Sequence, residues 1–400
     1  MQSPAPSSAG RPAEVFGVAL RLGLTCFGGP IAHIGYFERA YVEQRRWLSA
    51  GQFSALVALC QALPGPASSQ LGFLIGLERA GVAGAVAAWL GFTLPSALAL
   101  YALARLAAHV EGPRALAVVH GLQLAAVAVV AQAVWIMARR LLRDAPTVAF
   151  AVCAAVALLA LGGAAMQLAV LTAGAAGGAL LCRRVPVRHA ALALPVPRAL
   201  ALSALAVFAL LIVLLPLAAA RSPRGYLALA WVFYRAGALV FGGGHVVLPL
   251  LRDLLVPQGW ISDSGFLTGY GLAQAMPGPL FTLAAYLGGA NALLPAPALA
   301  AALALVSIFL PGLLLALAGA SLWRVLTGQR TLAAALTGVN AVVVGILAAA
   351  LYDPVWRAAV HDAGDALVAA AALVLLAAAR APPVAVVAGC AAVSLVRALV

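Results

Sequence analysis

The chain has 400 residues, of which 65% are apolar and 9% charged, and its mean hydropathy is +1.07. Soluble domains are about 45–50% apolar and about 25% charged, so this composition excludes a soluble protein. It predicts an all-α integral membrane protein. The net charge of +13 does not indicate nucleic-acid binding, because the arginines interrupt apolar runs and form no basic face. We therefore expect contact with the lipid bilayer and no nucleic acid.

Thirteen apolar segments follow a polar tail, residues 1–12, that is rich in Pro and Ser. The first membrane repeat, 13–184, holds six segments, at roughly 14–36, 54–77, 81–108, 115–138, 147–161 and 164–182. A linker, 185–225, carries one helix at 199–219. The second repeat, 226–400, holds six more, at roughly 226–251, 265–292, 296–323, 331–352, 366–379 and 382–399. The last two segments of each repeat are short and predict helical hairpins, with one long tilted helix per pair as the alternative.

Three signatures recur in the same order in the two halves, which indicates an internal duplication. FGGP at 27–30 and FGGG at 241–244 are offset by 214 residues. Trp47 and Trp260 are offset by 213, as are QALPGP at 61–66 and QAMPGP at 274–279.

Six segments plus one linker helix is an odd number, so the second half should enter the membrane in the opposite sense, as in inverted-repeat transporters. With the N-terminus inside, the loops on the cytoplasmic side would carry thirteen arginines and the outer loops nine. This excess agrees with the positive-inside rule.

Gly and Pro interrupt the first two segments of each half. The first breaks are Phe27, Gly28, Gly29, Pro30 and Phe241, Gly242, Gly243, Gly244; the second are Pro64, Gly65, Pro66 and Pro277, Gly278, Pro279. Backbone is broken at membrane depth only where protein or a water-filled cavity surrounds it. The helix that restarts after a break presents free N–H groups and the positive end of its dipole. The breaks therefore predict an anion site at mid-membrane, although simple kinks are the alternative.

One arginine precedes the first break of each half by six residues, Arg21 before Phe27 and Arg235 before Phe241. A charge within a span is costly and usually marks a substrate path. Two guanidinium groups from inverted halves would suit a divalent tetrahedral oxyanion. The alternative is that each arginine extends its head to the membrane interface.

Other polar residues near the breaks are candidates for secondary roles. Gln61 and Gln274 precede the Pro-Gly-Pro breaks and could donate amide N–H bonds to an oxyanion or to another helix. His33 and His245 could titrate near neutral pH, although helix-end packing fits them as well. Asn340 is a further polar group within a span. The five cysteines lack metal-ligand spacing, so the sequence predicts no metal site and no cofactor.

The residues FGGPIAHIGYFERAYVEQRRWLS with QALPGP, and FGGGHVVLPLL with QAMPGP, resemble the long-chain chromate ion transporter family over nearly the whole chain. That resemblance implies a multi-pass protein of the bacterial inner membrane with two homologous halves. It also implies chromate export and chromate resistance, with sulfate as a competing substrate.

Three other functions stay open at this stage. Chromate and sulfate share charge and shape, so a sulfate or related oxyanion uptake system fits the same residues, and an anion channel shares the electrostatics. A membrane enzyme is the third, but the spans lack His, Asp or Glu clusters for acid–base chemistry and a redox dithiol. We therefore expect a transporter that is not an enzyme, and a homodimer is compatible with the sequence.

Overall fold

A computed structural model describes residues 10–27, 29–107, 112–182, 196–241, 247–327, 329–379 and 381–399. These residues form helices and turns, and no β-strand occurs among them. The first half and the linker contain α1 (Pro12–Thr25), α2 (Gly29–Phe37), α3 (Ala50–Ala62), α4 (Ala67–Ala107), α5 (Pro113–Leu141), α6 (Ala145–Leu161), α7 (Gly163–Leu181) and α8 (Arg198–Arg221). The second half contains α9 (Tyr226–Leu239), α10 (Val247–Leu255), α11 (Asp263–Ala275), α12 (Leu283–Gly289), α13 (Pro297–Thr327), α14 (Arg330–Ala350), α15 (Arg357–Ala359), α16 (Ala363–Ala377) and α17 (Pro383–Arg397).

The helices confirm an all-α membrane protein. Within the described part of the chain, five helices are long and apolar enough to cross a membrane, namely α4, α5, α8, α13 and α14. The outward faces of α6, α7 and α8 carry Leu and Val side chains that are exposed, as expected for contact with lipid tails.

Helices end on both sides of each break expected in the first two segments, and the helices before and after a break run in opposite directions. Residues 28 and 242–244 of the breaks lie outside the described residues. Arg79, at the end of the second segment, lies 3.3 Å from Glu14 and over the ring of Trp47 at 5.1 Å. Glu14 begins the first segment and Trp47 follows it, so both ends of both segments meet around Arg79. We call residues 12–44 hairpin A and residues 50–79 hairpin B.

The second half repeats this arrangement in hairpin C, residues 226–255, and hairpin D, residues 263–289. The Tyr226 hydroxyl accepts a hydrogen bond from Ala296 N, and Ala292 N donates to Trp260 O. The beginning of hairpin C, the turn after it and the turn after hairpin D therefore meet. Each arm of the four hairpins has about 7–16 residues, the longest being 29–44, which ends in a π-helix (Glu38–Gln44). These arms are too short to cross a bilayer core about 30 Å thick.

Local sequence explains where the hairpins begin and turn. Ser49 and Ser262, which are 213 residues apart, cap α3 and α11 by accepting hydrogen bonds from Gln52 N and Gly265 N. After hairpin B the chain turns sharply at Gly81, whose φ is +63°, so α4 consists of two arms, 67–79 and 82–107. Gly76 and Gly84 on these arms are in close contact, which only a reversal of the chain allows.

The two pairs of hairpins enter from opposite ends of the molecule. The second arm of α4 begins beside the base of hairpins A and B. About 20 residues further along, roughly 30 Å, Tyr101 and Ala104 contact Gly289 at the base of hairpin D. We call these two ends the A/B end and the C/D end.

The short helices that close each half pack on the opposite half. Gly178 of α7 contacts Gly338 of α14, and α6 also packs against α14. Likewise α16 and α17 pack against α5, where Gly121 contacts Ala391. The expected hairpins α6–α7 and α16–α17 are both present, since Phe150 contacts Gly177 in the first pair and Arg397 binds Asp362 in the second. The two halves are therefore interwoven.

Candidate functional site

The tips of the four hairpins meet in two pairs, B with C and D with A, each through one of two equivalent hydrogen bonds between the halves. Gly65 N, at the tip of hairpin B, donates to Val240 O at the tip of hairpin C, 2.7 Å away. Gly278 N, at the tip of hairpin D, donates to Cys26 O at the tip of hairpin A, 2.8 Å away. Both bonds satisfy backbone groups that the breaks leave free.

The conformation at both Pro-Gly-Pro tips requires glycine. The φ angles of Gly65 and Gly278 are +116° and +98°. A Cβ on Gly65 would lie 2.9 Å from the Cα of Gly312, and a Cβ on Gly278 would lie 2.8 Å from Ser96 Oγ. Gly312 directly follows the proline within α13, and Ser96 directly follows the proline within α4. These contacts are therefore also equivalent between the halves.

A side chain that the sequence analysis did not single out holds hairpin B in place. The amide of Gln70 donates to Pro64 O at 2.8 Å and to Gly312 O at 2.9 Å. It therefore joins the tip of hairpin B to α13 of the other half. In the second half Leu283 occupies the equivalent position, so comparing the two halves could not have indicated a role for Gln70.

A cavity of about 50 Å³ lies between tips A and D. Its walls include Gly29 from hairpin A, Gln274 and Gly278 from hairpin D, and Gln132 from α5. One water needs about 10–15 Å³, so the cavity has room for a few waters or one small oxyanion. None of the described residues lining it is charged. The equivalent position in the other half would use Gln61, Gly65 and Gly243, and Gly243 lies outside the described residues.

Buried hydrogen-bond donors without a partner lie near the tips. Ser69 Oγ, Thr93 Oγ1 and Trp89 Nε1 make no hydrogen bond within the described structure. Ser69 is in the first turn after the Pro-Gly-Pro of hairpin B. Trp89 and Thr93 share a helical face with Ser96, which contacts Gly278. Buried polar groups are normally hydrogen-bonded, so these donors indicate a ligand or water between the tips.

The two arginines that the sequence placed in one site do not meet in this structure. Arg21 is exposed on the outer face of α1. Arg235 lines a separate cavity of about 240 Å³, together with Pro216 of α8 and Gln258 after α10. Neither lines the cavity between the tips. The linker helix α8 packs against α9, whereas α4 is the main helix packed against α1 within the described part of the chain, in agreement with the different exposure of the two arginines.

The remaining candidates are dispersed. Gln61 is exposed at the A/B side of tip B and accepts a hydrogen bond from Arg140 at 3.0 Å. His33 is buried, with its ring edge against Phe92. Asn340 is half-buried in α14. Phe27 and Phe241 flank the tips and are half-buried, as are Pro64 and Pro277, while Pro66 and Pro279 are buried. Gly28, Gly242, Gly243, Gly244 and His245 lie outside the described residues, as does the side chain of Pro30.

Arg140 was missed because it is one of the thirteen arginines that the sequence assigns to cytoplasmic loops, where an arginine indicates membrane orientation. The structure places it where its guanidinium reaches the exposed face of hairpin B. Ser69 was missed for a different reason. Its counterpart Thr282 sits 213 residues later, so a hydroxyl in the first turn after both Pro-Gly-Pro breaks was a signal in the sequence.

A family model for chromate transporters matches residues 13–180 and 227–395, which are the two halves of the chain. The chain belongs to the chromate transporter family. A chromate transport protein of Pseudomonas aeruginosa is 32% identical over 344 residues, which are 85% of this chain and 80% of that protein. A chromate transport protein of Cupriavidus metallidurans is 27% identical over 366 residues, 89% of this chain and 86% of that protein. No solved structure matches the chain.

Membership of this family has two direct consequences. The protein is a multi-pass membrane transporter, since the matched regions contain the apolar helices. The family is one of transporters, which points away from an enzyme. The hairpin tips lie within the matched residues of both halves.

Proposed function

We propose that this protein exports chromate across the bacterial inner membrane and so gives chromate resistance, with the dianion held between the hairpin tips. The observation that carries the proposal is the pair of reciprocal bonds, Gly65 to Val240 and Gly278 to Cys26. These bonds join hairpins from opposite ends, so a bound ion beside them can be reached from either side in turn.

The groups around the tips suit an oxyanion. Backbone N–H groups at the start of α2 and of the helices after both Pro-Gly-Pro breaks point toward the tips. The Gln132 amide donates one N–H to Leu376 O at 2.9 Å, which leaves its second N–H for a ligand in the cavity that Gln274 also lines. The Ser69 hydroxyl, which makes no hydrogen bond within the described structure, is a further donor near tip B. A site built from neutral donors binds a dianion without an ion pair to a positively charged side chain. Binding is then weak enough for the ion to be released.

The reciprocal bonds also suggest how access alternates. Because the two bonds are equivalent under the duplication but belong to hairpins from opposite ends, opening one while the other holds would expose the site to one side only. The two sides already differ, since Gln61 is exposed and its counterpart Gln274 is half-buried. We propose that the A/B end is the more open side.

The arginine distribution supports a cytoplasmic A/B end. If every segment crossed the membrane, Arg39, Arg45 and Arg46 would lie on the side opposite the N-terminus and Arg252 on the same side. Because hairpins A to D reverse the chain, these assignments are exchanged. Among the described residues, the A/B end then holds Arg11, Arg39, Arg45, Arg46, Arg79, Arg139, Arg140, Arg143, Arg198, Arg324 and Arg330, and the C/D end holds Arg105, Arg114, Arg221, Arg224, Arg252, Arg357 and Arg397. The excess marks the cytoplasmic side.

Membrane voltage alone can drive export. Moving one charge through 100 mV is worth about 2.3 kcal/mol, so a dianion leaving a negative-inside cell gains about twice that. No second ion is needed for this direction.

The test is chromate flux in everted vesicles with voltage and pH gradient set independently. Saturable accumulation that follows the voltage is expected, with sulfate present as a competitor in a parallel series. Flux that does not saturate would indicate a channel, and transport of sulfate in preference to chromate would overturn the assigned substrate.

A further inference from the structure

A cluster of ionisable side chains joins the two halves at the C/D end, away from the hairpin tips. His120 Nε2 of α5 lies 3.0 Å from Asp365 Oδ1 of α16, and His361 Nδ1 lies 3.8 Å from Asp365 Oδ2. The two imidazole rings stack, with centroids 5.3 Å apart and planes 19° apart. One ligand atom from each of the three residues lies within 4.8 Å of the other two.

We propose that His120, His361 and Asp365 bind a divalent transition-metal ion such as Zn²⁺. Tetrahedral coordination with bonds of about 2.0–2.2 Å separates neighbouring ligand atoms by about 3.4 Å. The separations are 3.0 Å from His120 Nε2 to Oδ1 and 3.8 Å from His361 Nδ1 to Oδ2, on either side of that value, and either carboxylate oxygen can serve as the ligand atom. Two imidazoles and one carboxylate leave a fourth position for water.

The carboxylate is held as a metal-bound carboxylate usually is. The Asp365 side chain is only 3% exposed, and Arg397 Nη1 donates to its Oδ1 at 2.7 Å. The backbone N–H of His361 donates to Oδ2 at 3.0 Å. Such second interactions orient a ligand before the metal arrives.

Charge also favours a cation here. Arg397 pairs with both Asp362 and Asp365, so with neutral imidazoles the cluster carries one excess negative charge. The side chain of His361 is 63% exposed, which gives an ion a path from solvent and lets this ring move into coordination. Protonation of one imidazole would also balance this negative charge. Protonation requires only one ring beside the carboxylate, whereas metal binding accounts for the two rings that face it.

A metal at this position would fasten the closing hairpin of the second half to a helix of the first half. His120 belongs to α5, while His361, Asp365 and Arg397 belong to the α16–α17 region. The same α5 carries Gln132 into the cavity between the tips, about 18 Å along the helix. In the sequence only the i, i+4 pair His361 and Asp365 could have indicated this site, because His120 lies 241 residues before His361.

The experiment uses the full chain in lipid nanodiscs, purified through a tag without histidine and stripped with a chelator. Calorimetric titration with ZnCl₂ should give one site per chain, and CoCl₂ should give a visible ligand-field absorption. His361→Gln removes an exposed ligand and should abolish both signals without changing the melting temperature of the metal-free protein. Arg397→Lys should lower the affinity by about 10–100-fold.

Glu14→Gln is the matched control, since it removes a carboxylate from an exposed ion pair with Arg79 at the other end of the molecule. It should bind Zn²⁺ like the wild type. Equal Zn²⁺ binding by wild type and His361→Gln would overturn the proposal. The proposal would also be overturned if the melting temperature depended on His361 and on pH but did not change with Zn²⁺ or chelator. That result would assign the cluster to proton binding.

Discussion

Gly65 donates its backbone N–H to the carbonyl of Val240, 2.7 Å away and 175 positions later in the chain. Gly278 makes the equivalent bond to Cys26. In each bond a Pro-Gly-Pro tip of one half meets the Phe-Gly-Gly tip of the other, so the two halves complete each other at the proposed substrate site.

Alanine at either tip glycine should reduce transport. A side chain at a φ near +100° costs about 1–3 kcal/mol, and the added Cβ meets Gly312 or Ser96. We expect Gly65→Ala and Gly278→Ala to lower chromate flux roughly tenfold or more at normal membrane abundance. Gly51→Ala is the control, because its Cβ would meet only Ser49 Oγ, at 4.0 Å. Unchanged flux in both tip variants would show that the breaks are only bends.

Cysteine labelling in a background without native cysteines tests the reversals and the inversion together. Arg46→Cys and Val82→Cys should label from the same side, because hairpin B returns to the end from which it starts. Gly259→Cys should label from the opposite side. Labelling of positions 46 and 82 from different sides would mean that 54–77 crosses the membrane. Labelling of 46 and 259 from one side would rule out inverted halves.

Removing the free hydroxyl of Ser69 should weaken substrate binding. A hydrogen bond to a charged group contributes about 1.5–3 kcal/mol, so Ser69→Ala should raise the KM for chromate roughly tenfold or more. Because this hydroxyl has no partner within the described residues, the variant should keep its thermal stability. Ser203→Ala, on the exposed face of α8, should change neither quantity. A normal KM in Ser69→Ala would remove this residue from the site.

Arg21 is exposed, so we expect it to attract the oxyanion toward the tips without a fixed bidentate contact. Arg21→Gln should raise the KM severalfold at low salt and less at high salt. Arg21→Lys should restore the wild-type KM, whereas a bidentate ligand would be restored only in part. The same pair of variants at Arg235 tests the symmetric position. No effect of any of the four changes would exclude both arginines from the substrate path.

Parts of the fold followed from local chemistry. The break positions are set by residues that cannot continue a helix, such as Pro64 and Pro277, and by glycines that accept positive φ. The expected inversion of the second half depends only on an odd number of membrane crossings before α9, and the reversals do not change this. Each half loses two crossings when its hairpins fold back, so the number of crossings before α9 stays odd.

The direction of the chain after each break was not predictable from the same residues. A Gly-Pro break fits a bent spanning helix and a hairpin equally well, because both leave the same backbone groups free. Which one forms depends on what satisfies those groups, and their partners lie in the other half, as Val240 does for Gly65. The positions of Arg21 and Arg235 show the same limit, since α8 packs against α9 whereas α4 is the main helix packed against α1 within the described part of the chain.

The sequence by itself determined the membrane class, the duplication and the position of each tip, because composition, repeat spacing and backbone preference are properties of neighbouring residues. Only the tertiary structure decided that the tips of opposite halves meet in pairs, that the short helices closing each half pack on the other half, and that His120 approaches Asp365. These contacts join residues that are far apart in the chain. They form because apolar helices without water must satisfy polar groups on whichever helix lies beside them.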